Sequence, residues 1–130
     1  MVHKTAYVEY VPFGVLAVIA PWNYPFHNLI NHIISGIFSG NAVVVKVSEY
    51  TSWSSSYFLR IVHAALKVNG HDPDLVQVIT GFGESGEALV KCEDVDKVIF
   101  TGSPAVGRYA HVCFFFRKPN LKLRLINKCI

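Results

Sequence analysis

The hydrophobic positions change period several times along the chain, and each change marks an element. Gly14–Ala20 (GVLAVIA) is a near-continuous apolar run, rich in β-branched residues and ended by Pro21. Such a run suits a strand buried on both faces, as in a parallel sheet. From Phe26 to Phe38 the residues Phe26, Leu29, Ile30, Ile33, Ile34 and Ile37 recur at helical spacing, with Gly40 as a stop signal. Ala42–Val47 (AVVVKV) repeats the buried-strand pattern. Ser54–Val68 reads as a second amphipathic helix, with Tyr57, Phe58, Ile61, Val62, Ala65 and Leu66 on one face and Gly70 after it. Leu75–Ile79 is a third strand, Glu84–Lys91 a short third helix and Lys97–Phe100 a fourth strand. Pro104 stands where a new helix would open, since proline suits the first helical turn.

Strand and helix alternating in this way predict an α/β fold: a Rossmann-like parallel sheet with helices on both faces and right-handed crossovers. The alternation is expected to stop after Tyr109. Residues 1–109 form the expected domain, and residues 110–130 read as a divergent basic and aromatic tail outside it. That tail holds Phe114–Phe116 and the period-two stretch LKLRLI, for which no pairing partner is evident. Neither a further helix nor a fifth strand is expected there.

Composition narrows the class without changing this outline. A chain of 130 residues, 52% hydrophobic and 16% charged, suits one globular domain and excludes global disorder. The net charge of +3 hides an asymmetry. Up to Asp96 five basic residues face nine acids, and after it come seven basic residues and no acid. A basic end can mark a nucleic-acid or membrane contact, but a tail of different origin from the body explains it more simply. Cys92, Cys113 and Cys129 show no metal spacing and are odd in number, which suits free thiols in a reducing compartment. The first ten residues carry charge and no apolar core, unlike a secretory signal. The charge-free stretch from Tyr10 to Val45 is broken by Pro12, Pro21, Pro25, Asn23, Asn28, Asn31 and two histidines, so it is not a clean membrane span. The default expectation is a cytoplasmic protein.

Four segments are candidates for chemistry, all at the carboxyl ends of expected strands. Gly81, Gly83 and Gly86 spell GxGxxG between a strand and a helix, the context of a dinucleotide fingerprint. The acid that should follow at the end of the next strand is missing, since that strand runs into Phe100-Thr101-Gly102. Gly102-Ser103-Pro104-Ala105-Val106-Gly107 also joins a strand to a helix. Its free backbone N–H groups could receive a phosphate, or Ser103 could simply cap the helix. Lys46 and Glu49 flank the end of the second strand, where a parallel sheet opens its ligand crevice. They could hold ribose hydroxyls or be ordinary surface charges. In Pro21-Trp22-Asn23-Tyr24-Pro25 two prolines fix a rigid turn around two aromatics and one amide. A rigid Asn can donate its NH₂ to a developing oxyanion.

PWNYP, GNAVVVKVSE and FTGSPAVG, in this order and spacing, resemble the aldehyde dehydrogenase superfamily over roughly Tyr7 to Tyr109. The resemblance implies NAD as cofactor, with NADP possible, and a Rossmann variant whose pyrophosphate lies at the GSxxxG turn. It implies that Ile19, Ala20, Pro21 and Trp22 line the nicotinamide end of the groove, and that Asn23 stabilises the oxyanion of a thiohemiacetal. Lys46 and Glu49 would hold the adenosine ribose, Gly83 would approach the adenine, and Gly102 and Ser103 would meet the pyrophosphate. Val106 and Gly107 would complete the turn beside the adenine. The substrate implied is a small-molecule aldehyde and the assembly a homo-oligomer; no nucleic acid or metal is implied.

Two departures from the family pattern stand out. Val47 replaces the proline usual after the strand lysine, which is expected to loosen the turn carrying Glu49. The general-base glutamate and the nucleophilic cysteine of the family, in Leu-Gly-Gly and Gly-Gln-x-Cys contexts, have no counterpart among these residues. None of the three cysteines has the nucleophile's context, and Cys92 adjoins Glu93 and Asp94, whose charges disfavour a thiolate. The expectation is therefore a partial cofactor domain that is inactive by itself. The alternative is a non-catalytic truncated product or nucleotide-binding fragment.

Overall fold

The computed structural model describes residues 7–117 and 124–126. The first strand and helix are β1 (Val15–Ile19) and α1 (Pro25–Phe38), followed by β2 (Ala42–Lys46), α2 (Ser52–Val68) and β3 (Val76–Ile79). Then come α3 (Gly83–Lys91), β4 (Lys97–Thr101), α4 (Pro104–Arg117) and β5 (Arg124–Ile126). Single 3₁₀ turns at Glu49–Thr51 and Pro73–Leu75 open α2 and β3.

All strand pairs are parallel, in the order β3-β2-β1-β4-β5. The strands are apolar on both faces because helices cover both. Val18, Val43 and Val45 meet Leu29 and Ile33 of α1 and Leu66 of α2. On the other side Ala17 and Val98 meet Leu89 and Val90 of α3 and Ala110 of α4, with Val15, Ile19 and Val44 packed alongside. Alternate residues of β1 and β2 thus enter different cores, the period-two consequence of a pleat. Lys46 follows Val44 on the α3/α4 side and is buried.

Two polar residues fasten the end of the sheet away from the site. Asn41 Oδ1 accepts from the N–H groups of Phe13 and Gly14, at 2.6 and 3.0 Å. The Asp96 carboxylate accepts from Val15 N–H at 2.9 Å.

The chain after Tyr109 differs from expectation. Helix α4 continues to Arg117, and Arg124–Ile126 pairs in parallel with Ile99–Thr101. The alternation therefore does not fail at Tyr109. Aromatic and β-branched residues after Tyr109 weaken the helical pattern without breaking it, since no proline or glycine intervenes before Pro119. The period-two stretch finds a partner after all: its last three residues, Arg124–Ile126, pair with the parallel edge of β4. Leu121 to Leu123, Lys118, Lys128 and Cys129 lie outside the described residues.

The Val47 expectation is also corrected. Val47 is buried and its N–H donates to the Ile79 carbonyl at 3.1 Å, extending the β2–β3 ladder by one residue. Proline has no N–H to give, so valine here ties the turn down. Among the described residues no helix is long and apolar enough to cross a membrane.

Candidate functional site

Parallel strands bring their carboxyl ends to one edge, and the sequence candidates collect there. Strand order reverses between β1 and β4: the chain works outward from β1 through β2 to β3, then returns to the far side of β1. In open α/β sheets ligands bind in the crevice at that switch point.

A cavity of about 330 Å³ lies on the α3/α4 side of the sheet at this place. Ile19, Lys46 and Phe100, from β1, β2 and β4, form its floor. One wall is Gly83, Gly86, Glu87 and Val90 of α3; the other is Val106, Tyr109, Ala110 and Cys113 of α4. Both sets follow the helical i, i+3, i+4, i+7 stripe. Of the sequence candidates, Ile19, Lys46, Gly83 and Val106 meet around this cavity. Clefts that take small molecules span about 300–1,000 Å³ and are mostly apolar with a few polar groups, as here.

Lys46 is 7% exposed, and no carboxylate among the described residues forms an ion pair with it. Its side chain lines the cavity floor, where its ammonium can donate to an acceptor. Glu49 begins the 3₁₀ turn just beyond β2, where Ser48 Oγ donates to Glu49 Oε2 at 3.3 Å.

The two helix N-termini at this edge differ in charge. Helix α3 carries Glu84 in its first turn, whereas α4 has no acid there. An anion is therefore favoured at α4 and opposed at α3. The Ser103 hydroxyl accepts from Val106 N–H at 3.5 Å, a weak cap that leaves its own proton to donate. Gly107 is buried and its N–H donates to the Ser103 carbonyl at 3.0 Å, the first bond of the helix. Gly102 lies under the Phe100 ring, and a Cβ there would come within 2.8 Å of Phe100 Cζ.

Two of the GxGxxG glycines, Gly81 and Gly86, have roles in the fold itself. Gly81 turns the chain with φ +139°, a conformation L side chains rarely adopt. Gly86 is buried against Ile19.

At the end of β1, Ala20 N–H donates to the Lys46 carbonyl at 3.0 Å. Trp22 meets Tyr50 edge to face, with ring centroids 6.5 Å apart, joining the β1 and β2 turns. Pro21 and Asn23 are half-buried. Asn28 of α1 donates to the Asn23 side-chain oxygen at 3.2 Å and to the Pro21 carbonyl at 3.1 Å. Asn23 therefore presents its NH₂, the donor end, elsewhere. The buried Thr101 hydroxyl at the end of β4 has no hydrogen-bond partner among the described residues.

The sequence reading missed Asn28 and most of both cavity walls. Tyr109 donates its hydroxyl to Glu87 Oε1 at 2.7 Å, and Lys91 bonds the same oxygen. The Lys91 bond, then the Tyr109 bond, hold the Glu87 carboxyl below the ordinary range. The Glu87 bond, with Cys113 adding to it, pushes Tyr109 up to about 12.

This architecture belongs to a recognised family. The aldehyde dehydrogenase family model matches residues 2–115, and the chain is a member of that family. An aldehyde dehydrogenase-like protein of Schizosaccharomyces pombe is 41% identical over 106 residues, which is 82% of this chain and 20% of that protein. The NAD(P)+ aldehyde dehydrogenase 1 of Saccharomyces cerevisiae is 40% identical over 108 residues, 82% of this chain and 21% of that enzyme. Among solved structures, glyceraldehyde-3-phosphate dehydrogenase GapN of Methanocaldococcus jannaschii complexed with NADP superposes with TM-score 0.78. That match has 31% identity and covers 88% of this chain and 25% of GapN. PnpE in complex with nicotinamide adenine dinucleotide gives TM-score 0.73 and 36% identity, covering 88% of this chain and 23% of PnpE. The chain spans about a fifth of the length of the curated relatives it matches.

Proposed function

We propose that this chain forms the dinucleotide-binding and oxyanion-binding part of an NAD-dependent aldehyde dehydrogenase. The observation that carries the reading is Lys46, a buried lysine without a carboxylate partner among the described residues, on the floor of a cavity at the sheet's switch point. Its ammonium donates to the adenosine ribose, and the Glu49 carboxylate accepts from the ribose hydroxyls. The flat walls between α3 and α4, with Gly83 and Val106 at the mouth, take the adenine. Gly102, Ser103 and Gly107 form the turn at the acid-free start of α4, which takes the pyrophosphate. Ile19, Ala20, Pro21 and Trp22 border the nicotinamide end.

The whole enzyme's reaction, on this reading, oxidises an aldehyde to a carboxylic acid after a cysteine thiolate adds to the carbonyl. The bound nicotinamide supplies the hydride acceptor. Asn23 donates its NH₂ to the oxyanion formed by that addition, an interaction worth roughly 10²–10³ in rate where the nucleophile is present. Asn28 keeps the donor end of Asn23 available.

The 130 residues contain no Gly-Gln-x-Cys segment, so binding is the decisive assay for this chain. Calorimetric titration should show saturable NAD binding that Lys46→Met abolishes. NADP should bind more weakly, because its 2′-phosphate meets the Glu49 carboxylate, and Glu49→Gln should narrow the gap. No NADH should form with aldehyde present. An affinity for NAD unchanged in Lys46→Met would overturn the assignment.

A further inference from the structure

We propose that Glu87 reads the exocyclic amino group of the adenine base and so makes the cavity select adenine over oxo-purines. The inference rests on the dinucleotide reading of the cavity and names a specificity residue within it.

The walls that would hold the base are Val90 on α3 and Val106 and Ala110 on α4, above Phe100. Apolar walls of this kind accept any purine, because every purine has the same flat apolar faces. Discrimination needs a polar group at the ring edge. Among the described residues only two charged side chains line the cavity, Lys46 and Glu87. Lys46 belongs to the sheet edge, where the ribose and phosphates would lie. Glu87 stands four residues further along α3 than Gly83, about 6 Å deeper at the helical rise. A base inserted between the helices brings its far edge to that level.

Glu87 is held in place for this task. The Tyr109 hydroxyl and the Lys91 ammonium both bond Oε1, so one carboxylate oxygen is anchored from two sides. Neither of these bonds uses Oε2, which keeps its capacity to accept. A carboxylate can only accept, and the adenine amino group can only donate. Hypoxanthine and guanine carry a carbonyl oxygen at the same ring position, and two acceptors facing each other repel. The hydrogen bonds from Lys91 and Tyr109 keep the carboxyl ionised through the neutral range.

The test compares NAD with nicotinamide hypoxanthine dinucleotide, in which an oxo group replaces that amino group and the adjacent ring nitrogen gains a proton. Both are titrated calorimetrically into the full chain, with AMP and IMP as competitors. The expected result is about tenfold weaker binding of the hypoxanthine compound, the size of one hydrogen bond to a partly exposed charged group. Glutamine can donate or accept, so Glu87→Gln should bring the two dinucleotides to nearly equal affinity while retaining NAD binding. Circular dichroism and thermal melts establish that the variant folds. Equal affinities in the natural chain, or an unchanged ratio in Glu87→Gln, would overturn the role of Glu87 alone. Failure of the natural chain to bind any of the four nucleotides would instead overturn the dinucleotide reading, and this inference with it.

Discussion

Asn28 donates its side-chain amide to the side-chain oxygen of Asn23, and that one bond fixes which end of Asn23 is free. An unrestrained asparagine could offer either its carbonyl or its NH₂. Here the carbonyl is occupied, and the same Asn28 amide also reaches the Pro21 carbonyl. Asn28 is itself buried and fixed by its backbone N–H, which donates to the Tyr24 carbonyl at 2.8 Å as α1 begins. The two prolines of the turn restrict the backbone, while Asn28 sets the amide.

Asn28→Leu should therefore destabilise the chain by about 1–3 kcal/mol, the usual penalty for leaving buried hydrogen-bonding groups unpaired. Denaturant unfolding midpoints measure this. Asn28→Asp should be worse, because a carboxylate would face two oxygens. AMP binding should fall little in either variant, since the cavity lies on the other side of the sheet. A midpoint unchanged by Asn28→Leu would show that the bonds contribute nothing to folding.

Why was Asn28 invisible in the sequence while Asn23 was not? Asn23 sits between two prolines in a recognisable motif, whereas Asn28 looks like one polar residue on an apolar helix. Its meaning depends on α1 starting at Pro25, which curls residue 28 back over residues 21–23. Strands β1 to β4 were legible because continuous β-branched runs bounded by proline and glycine have few other solutions. Helices α1, α2 and α3 were legible from their periodic faces. The carboxyl-edge candidates followed from strand direction together with the motifs that carry the family resemblance. The cavity walls were not legible, because α3 and α4 face one another only through a crossover that local patterns do not encode. Tyr109 and Glu87 are 22 residues apart and meet only in space. Strand β5 was missed because the period-two stretch containing it showed no partner in the sequence, and the parallel edge of β4 that pairs with Arg124–Ile126 exists only in the folded sheet.

Two glycines should respond oppositely to alanine. At Gly36, where α1 crosses β2, a Cβ would lie 2.3 Å from Val43 Cγ2 and 3.3 Å from Leu16 Cδ1. Gly36→Ala should cost about 1–3 kcal/mol through overpacking, reduced by the better helix propensity of alanine. At Gly83 a Cβ meets nothing within 4 Å. Gly83→Ala should leave the melting temperature unchanged or slightly raised, yet weaken NAD binding, because the added methyl group projects at the cavity wall. Melts and titrations on the same two variants separate these effects. Destabilisation by Gly83→Ala would contradict the open space seen there.

The Tyr109–Glu87 bond predicts a specific pH dependence. The folded chain raises the Tyr109 pKa to about 12 from an ordinary 10.0, chiefly through Glu87 and then Cys113. A group with a raised folded pKa contributes stability that is complete below its unfolded value and lost as pH climbs through the folded one. The Tyr109 contribution should thus be constant to about pH 10 and disappear toward pH 12. Glu87 acts at the other end: its lowered pKa adds stability above 4.5 that is lost on acidification below it. The melting-temperature difference between the natural chain and Tyr109→Phe should be flat between these limits and shrink outside both. The pair is solvent-exposed, so the difference should be small and diminish with salt. A difference that grows above pH 10 would reverse the assigned direction.

Cys113 offers a direct report of whether a nucleotide enters between α3 and α4. It is half-buried and lines the cavity, whereas Cys92 is half-buried and does not line it. A ligand filling the space between the helices should shield the Cys113 thiol from a small alkylating reagent and leave Cys92 unaffected. With NAD at about ten times its Kd, roughly one site in eleven is free at any moment, so Cys113 labelling should slow about tenfold. Peptide mass spectrometry resolves the two thiols, and AMP should protect as NAD does because, on the proposed reading, the adenosine half fills this cavity. Nicotinamide mononucleotide, which lacks the adenosine, should protect poorly. Equal slowing at both cysteines would indicate general tightening of the fold. Protection of neither by saturating NAD would place the dinucleotide outside the α3/α4 cavity.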